Sequence, residues 1–355
     1  MKETNANNLK PRVIELFNGM ISGNNVFEGF YSEDDMTDKL SNKIKVICTD
    51  EVPFNDFGEW NGRYGILSLK PEVIEGISVH TKTKEETKVI LLQQLLHVVS
   101  DRDSESGLDK YRLFKDEKRK NGKSIDNGMS MELAERILGV KTNGYSKEKG
   151  VYNIFSTLYG EETFISDYIT GGDTIQEHIK DNYGDTILKF FNLVIYNLDV
   201  LRSYEDKIKM CGKTADKKSK VEEYKAAKDK YEGILDATLE KMIKRKLRLT
   251  PDINGKYDLL CKLKQSNYKN EIAGLNIQNA IDEILAKITE ELIDEEQLTN
   301  IESKVMVATN EIGLTDIKKQ AANIKQLLIS QSIEKNRKQE HNQPEIGNEN
   351  SYRGE

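Results

Sequence analysis

The chain has only three cysteines, Cys48, Cys211 and Cys261, far apart and without CxxC spacing. Neither a disulfide framework nor a cysteine-built zinc site is expected, because both need paired thiols. Histidine is equally scarce: His80, His97, His178 and His341 are the only four, which limits any metal centre assembled from imidazoles. No stretch approaches the roughly 18 apolar residues of a membrane span. The opening MKETNANNLKPRVIELF holds no apolar run of signal-peptide length, so a soluble, cytoplasmic protein is expected. Basic blocks are missing too. With 53 Lys and Arg against 60 Asp and Glu, the net charge is −7, and neither nucleic acid nor a membrane surface is an expected partner. There is no internal repeat, and no heptad pattern is sustained well enough for a coiled coil.

What the chain does have is length and charge. At roughly 150 residues per domain, its 355 residues suggest two domains or one domain with a long appendage. Charged residues make up 32% and hydrophobic residues 37%, a balance that fits long helices with a solvated face. Most of the glycine, the single Trp60 and the short strand signals fall in the first 200 or so residues. There, 43–48, 63–69 and 73–79 alternate apolar and polar residues as strands do, and Asn61-Gly62 reads as a turn feeding the second of them. A helix is expected early, over 13–20, and again from Lys84.

From about Leu198 the composition turns Lys/Glu-rich, with apolar residues at helical spacing: Val221, Tyr224, Ala227, Tyr231, Leu235 and Met242. Thr250-Pro251 ends that helix, because proline disfavours the helical conformation just before it, and 252–256 reads as a connection. Helical spacing resumes in Ile277, Ile281, Ile284, Ile288 and Leu292, then in Ile317, Ala321, Ile324 and Leu328. Residues 334–355 hold only Ile346 and Tyr352 as large apolar side chains, too little burial to order a chain. The expected organisation is a folded domain over 1–200, a helical bundle or hairpin over 201–333 and a disordered polar tail over 334–355.

The chemistry concentrates in KVILLQQLLHVVSD, residues 88–101. Leu, Ile or Val stands on almost every side of this helix, as in a helix buried on all faces. One stripe differs. Gln93 and His97 are four residues apart and so share a face, with Gln94 beside them and Asp101 a further turn along. Polar groups in such a helix need partners or a cleft. The spacing parallels HExxH, in which two histidines one turn apart bind zinc and the glutamate acts as general base. Here it reads QQxxH, followed by Ser106-Gly107-Leu108 and, thirty residues after His97, by IDNGMS at 125–130.

Together these features resemble the gluzincin-type metallopeptidases of the zincin superfamily. The resemblance covers about residues 43–200 and includes Tyr159-Gly160-Glu161-Glu162, Tyr168, Gly171-Gly172-Asp173 and Tyr183-Gly184-Asp185. It implies an α+β fold: a small, mostly antiparallel sheet on an active-site-type helix, a helical lower lobe, and then the α-helical C-terminal region. It also implies that Gln93 stands for the first zinc histidine, Gln94 for the general base, His97 for the second histidine and Asn127 for the third ligand. Only His97 keeps a ligand-type side chain. Neutral amides are poor zinc ligands, and an amide has no basic site near neutral pH. The expectation is therefore a pseudopeptidase without zinc, serving as a binding or scaffolding module for a protein or peptide.

Two other functions fit the sequence. A working zinc hydrolase would need a non-standard site around His97, with Asp101, Asp103, Asp126, Glu132 or Glu135 as substitute ligands. An adaptor would place the function in the helical C-terminal half. Against the first, Asp126 or Ser130 reads as the cap of a helix over 131–138, with Glu132 and Glu135 favourable in its early turns. His178, beside Glu177, reads as a surface histidine. The Lys/Arg clusters at 115–123 and 241–248 read as solvated helix faces, and the Tyr224 and Tyr231 stripe as packing.

Overall fold

The computed structural model describes residues 6–24, 26, 32–48, 58–61, 64–70, 73, 83–100, 122–170, 174–211, 215–266 and 268–292. These residues are mostly helical, with two small sheets. The chain divides into two compact units, Met1–Lys246 with Lys262–Gly274, and Leu247–Cys261 with Leu275–Glu355. Among the described residues no helix is long and apolar enough to cross a membrane.

The first unit begins with α1 (Ala6–Ile21), which buries Val13, Phe17 and Ile21, a single stripe at four-residue spacing. A capping box opens α2 (Glu33–Lys43): the Ser32 hydroxyl accepts from the Asp35 amide at 3.0 Å, and the Asp35 carboxylate from the Ser32 amide at 3.4 Å. Strands β1 (Lys45–Cys48), β2 (Gly58–Asn61) and β3 (Ile66–Leu69) form a sheet in the order β1-β3-β2. The expected sheet is mostly antiparallel, whereas this one is mixed. β1 runs parallel to β3, with Val46 opposite Leu67, and β2 runs antiparallel to β3, with Trp60 opposite Leu67. Chain connectivity accounts for this: β2 turns back into β3 over a few residues, as an antiparallel pair can, while the connection from β1 to β3 is long enough to include β2. Of the strand expected at 73–79 only Val73 is described, and it is helical.

Helix α3 (Lys84–Ser100) is the centre of this unit. Thr83 and Glu86 form its capping box, and Val89, Leu92, Leu95, Leu96, Val98 and Val99 are fully buried on all sides of it. There follow α4 (Lys123–Leu138), α5 (Ser146–Tyr159), α6 (Glu161–Thr170), α7 (Thr174–Tyr183) and α8 (Asp185–Met210). Phe155, Phe164 and Phe191 bring α5, α6 and α8 to one aromatic core, the Phe155 and Phe191 rings 4.7 Å apart. The composition change near Leu198 falls inside α8. The Tyr stripe of α9 (Ala215–Leu249) packs on α8, with the Tyr204 and Tyr231 rings stacked at 5.9 Å.

Helix α9 stops at Thr250-Pro251 as proline requires, but 252–256 is not a connection. The Asp252 carboxylate accepts from the Gly255 amide at 2.5 Å, so Asp252 caps a new helix, α10 (Ile253–Gln265). In the second unit Leu259, Leu260, Ile277 and Ile281 are buried, the last two on α11 (Ile277–Leu292) at the expected spacing. The series from Ile317, the tail at 334–355 and Gly171-Gly172-Asp173 lie outside the described residues.

Candidate functional site

The polar stripe of α3 meets α4. Gln93 and Gln94 are 1% and 8% exposed, and the Gln94 amide donates to Gln93 Oε1 at 3.5 Å. His97, half-buried one turn on, places Nε2 3.1 Å from Asn127 Oδ1 and 3.1 Å from Ser130 Oγ. Ser130 donates its own hydrogen to the Asn127 carbonyl at 3.1 Å. Asn127 Oδ1 can only accept, so Nε2 carries a hydrogen directed at it, with Ser130 Oγ on the same side of the ring. That assignment removes the Nε2 lone pair from metal binding in this arrangement.

Helix α4 is set in place from two sides. Asp199 of α8 accepts the Gly122 and Ser124 amides at 2.5 and 2.7 Å, capping α4 at its true start. Neither Asp126 nor Ser130 is the cap, and the helix begins at Lys123 rather than at Met131. On the other side, Gly128 lies so close to the Glu148 backbone that an added Cβ would overlap the Glu148 carbonyl group. Asn127 and Gly128 both lie within the helix. Gly128 allows α4 and α5 to approach, and Asn127 beside it faces His97.

Because α4 starts early, Glu132 and Glu135 fall in its second half. Glu132 pairs with Arg136 at 3.3 Å. Glu135, fully buried, accepts from Lys149 Nζ at 2.5 Å and from the Thr142 hydroxyl at 2.6 Å. Both carboxylates serve structural pairs. Asp126 is 4% exposed in the first turn, and Asp101 and Asp103 lie outside the described residues. His178 of α7 is hydrogen-bonded to Asn182, away from His97 in sequence and partners. Among the described residues no group of three or more His, Cys, Asp and Glu side chains could hold a metal ion.

Three side chains that sequence reasoning passed over, Tyr145, Glu148 and Arg202, complete the neighbourhood. Tyr145, the residue before α5, has φ of 52°, a left-handed conformation uncommon outside glycine. Its hydroxyl lies beside Gln93, and burial pushes its pKa up against the lowering effect of Arg202. Arg202 of α8 covers the Tyr145 ring, 5.1 Å from its centre, and stands 3.7 Å from Glu148. Burial raises the Glu148 carboxyl above its ordinary value, opposed by its own backbone hydrogen bond and by Arg202. Close to His97's partner Ser130, the buried Tyr168 hydroxyl lies near both Ser130 and Ser100, and burial raises its pKa far above the usual phenol range. No local sequence pattern marks Tyr145 or Arg202, since α5 and α8 bring them to α3 only through tertiary packing.

No protein-family model, curated protein or solved structure matches this chain.

Proposed function

We propose that the first unit is a metallopeptidase-like module that has lost catalysis, a pseudopeptidase that works in the cytoplasm by binding a protein or peptide at the face shared by α3 and α4. The observation supporting this reading is the hydrogen bond between His97 Nε2 and Asn127 Oδ1 at 3.1 Å. Two residues thirty positions apart, which the zincin resemblance makes zinc ligands, are held against each other by a bond that uses an amide where zinc chemistry needs an anion. Gln94, at the general-base position, cannot take a proton from water. Zinc, nucleic acid and membrane are not part of this function.

Metal analysis of the protein purified without chelator or histidine tag tests it, together with a variant carrying Gln93→His, Gln94→Glu and Asn127→Glu. The wild type should hold no stoichiometric zinc. The triple variant should gain about one zinc per chain, since it supplies the two imidazoles and the carboxylate of a catalytic zinc site. Stoichiometric zinc in the wild type, lost with peptide hydrolysis in His97→Ala, would overturn the reading. A folded triple variant that binds no zinc would remove its peptidase-fold premise.

A further inference from the structure

We propose that the end of the helical hairpin formed by α8 and α9 docks an acidic segment of a partner protein. The inference stands apart from the pseudopeptidase reading, and neither needs the other. Helix α8 ends at Met210 and α9 begins at Ala215. The two run antiparallel: Tyr204 stacks on Tyr231 at 5.9 Å, while Lys207, about one turn further on, lies over the Tyr224 ring at 5.8 Å. Beyond Leu201 the hairpin leaves the core. No described residue from Arg202 to Ile234 is buried, whereas Leu201 and Leu235 at its base are.

Against the expectation from overall charge, residues 207–220 are a basic block, with six lysines and one acidic residue, Asp216, in a chain of net charge −7. Lys209, Lys218 and Lys220 are exposed and have neither an ion pair nor a hydrogen bond among the described residues. Elsewhere on α9 lysines are paired, Lys225 with Glu222 at 3.4 Å and Lys244 with Glu240 at 2.5 Å. The placement also works against the helix. Lys207 and Lys209 suit the negative end of the α8 dipole, but Lys218, in the first turn of α9, stands at the positive end, where a cation is unfavourable. Helix stability favours an acid at that position, and an anionic partner accounts for the cation found there.

Three features select a protein as the source of that anion. Every base in the block is lysine, whereas arginine supplies the planar fork that matches phosphate in two-point contact. Outside the block acids outnumber bases, so a long polyanion would meet repulsion beyond the hairpin end, while a short acidic segment would not. Met210, 64% exposed between the lysines, adds a polarisable, unbranched surface that suits the apolar side chains of a peptide.

The test uses the full-length protein and fluorescence anisotropy with a labelled peptide of repeated Glu-Glu-Leu, its Gln-Gln-Leu counterpart and a short DNA duplex, with sedimentation of phosphatidylserine vesicles alongside. The glutamate peptide should bind about tenfold more tightly than the glutamine peptide, and its binding should weaken as salt is raised. Combining Lys209→Glu, Lys218→Glu and Lys220→Glu should remove the preference. Combining Lys180→Glu, Lys189→Glu and Lys264→Glu, at exposed positions away from the hairpin end, makes the same change in net charge and should alter the affinity by less than about twofold. Lys218→Glu alone should bind more weakly yet unfold at a slightly higher temperature, a combination that misfolding does not produce. Equal affinity for the two peptides, or equal losses in the two triple variants, would overturn the docking surface. Tighter binding to the duplex or the vesicles than to the glutamate peptide would overturn the assignment to an acidic protein segment.

Discussion

The carboxylate of Asp199 accepts the backbone amide of Ser124 at 2.7 Å across 75 residues of sequence, and with its other oxygen the amide of Gly122. A side chain from α8 thereby closes the first turn of α4, the helix that carries Asn127 and Ser130 to His97. Since Gly122, at the cap position, has no side chain to do this itself, Asp199→Ala should cost about 1 to 2 kcal/mol, as loss of a strong cap does. Urea denaturation would check it. A loss below a few tenths of a kcal/mol would mean that packing alone holds the start of α4.

Gly128 gives a paired prediction. A Cβ there would overlap the Glu148 backbone, so α4 and α5 would have to separate, while at Gly19 of α1 nothing lies within 4 Å. Gly128→Ala should therefore destabilise by about 1 to 3 kcal/mol, the range for overpacking a tight contact. Gly19→Ala should be neutral or stabilise by up to about 1 kcal/mol through helix propensity. Thermal unfolding of the two variants side by side makes each the control for the other, and equal shifts would contradict the close approach.

Helices α3 and α4 differ in how far the sequence makes them legible. The stripe of Gln93, Gln94 and His97 is visible from periodicity alone, because four-residue spacing fixes a helical face whatever the tertiary context. So are α9, with its stop at Pro251, and α11. The start of α4 is not legible, because its cap is Asp199, distant in sequence, and because a glycine after asparagine reads as a turn unless a neighbouring helix needs the space. Strand β2 is only four residues long, with no alternation strong enough to separate it from loop. Helix α10 is hidden behind Pro251, which marks the end of one helix while Asp252 opens the next. Tyr145 and Arg202 carry no local signal at all, since their meeting depends on how α5 and α8 pack.

Glu135 and Lys149 form a buried ion pair that ties the segment between α4 and α5, with Lys149 also donating to the Thr142 carbonyl at 2.8 Å. Removing Lys149 leaves the buried Glu135 carboxylate with only the exposed Lys141, at 3.8 Å, as a counter-ion. Lys149→Met should cost about 3 to 5 kcal/mol. Adding Glu135→Leu to it should recover part of that loss, because two apolar side chains avoid the stranded carboxylate, although the Thr142 amide and hydroxyl then lose their acceptor. Chemical denaturation of the single and double variants would show this non-additivity. A double variant less stable than Lys149→Met would indicate that Glu135 matters mainly as the acceptor for Thr142.

Glu148 predicts a pH dependence whose sign follows from burial. Its carboxyl is raised above the ordinary value of 4.5, chiefly by desolvation, with its own backbone hydrogen bond and Arg202 opposing. In the unfolded chain the group loses its proton near that ordinary value, while in the folded protein it keeps it to higher pH. The folded state then binds more protons than the unfolded one, and stability falls as pH rises through this window. The contribution is fully present below about pH 4.5 and is lost above the folded value. Glu148→Gln cannot ionise, so its stability relative to the wild type should improve as pH rises from about 4 toward neutrality. Thermal unfolding at a series of pH values checks this, and a wild type that gained on the variant over that range would show that Arg202, at 3.7 Å, outweighs burial in setting the charge of Glu148.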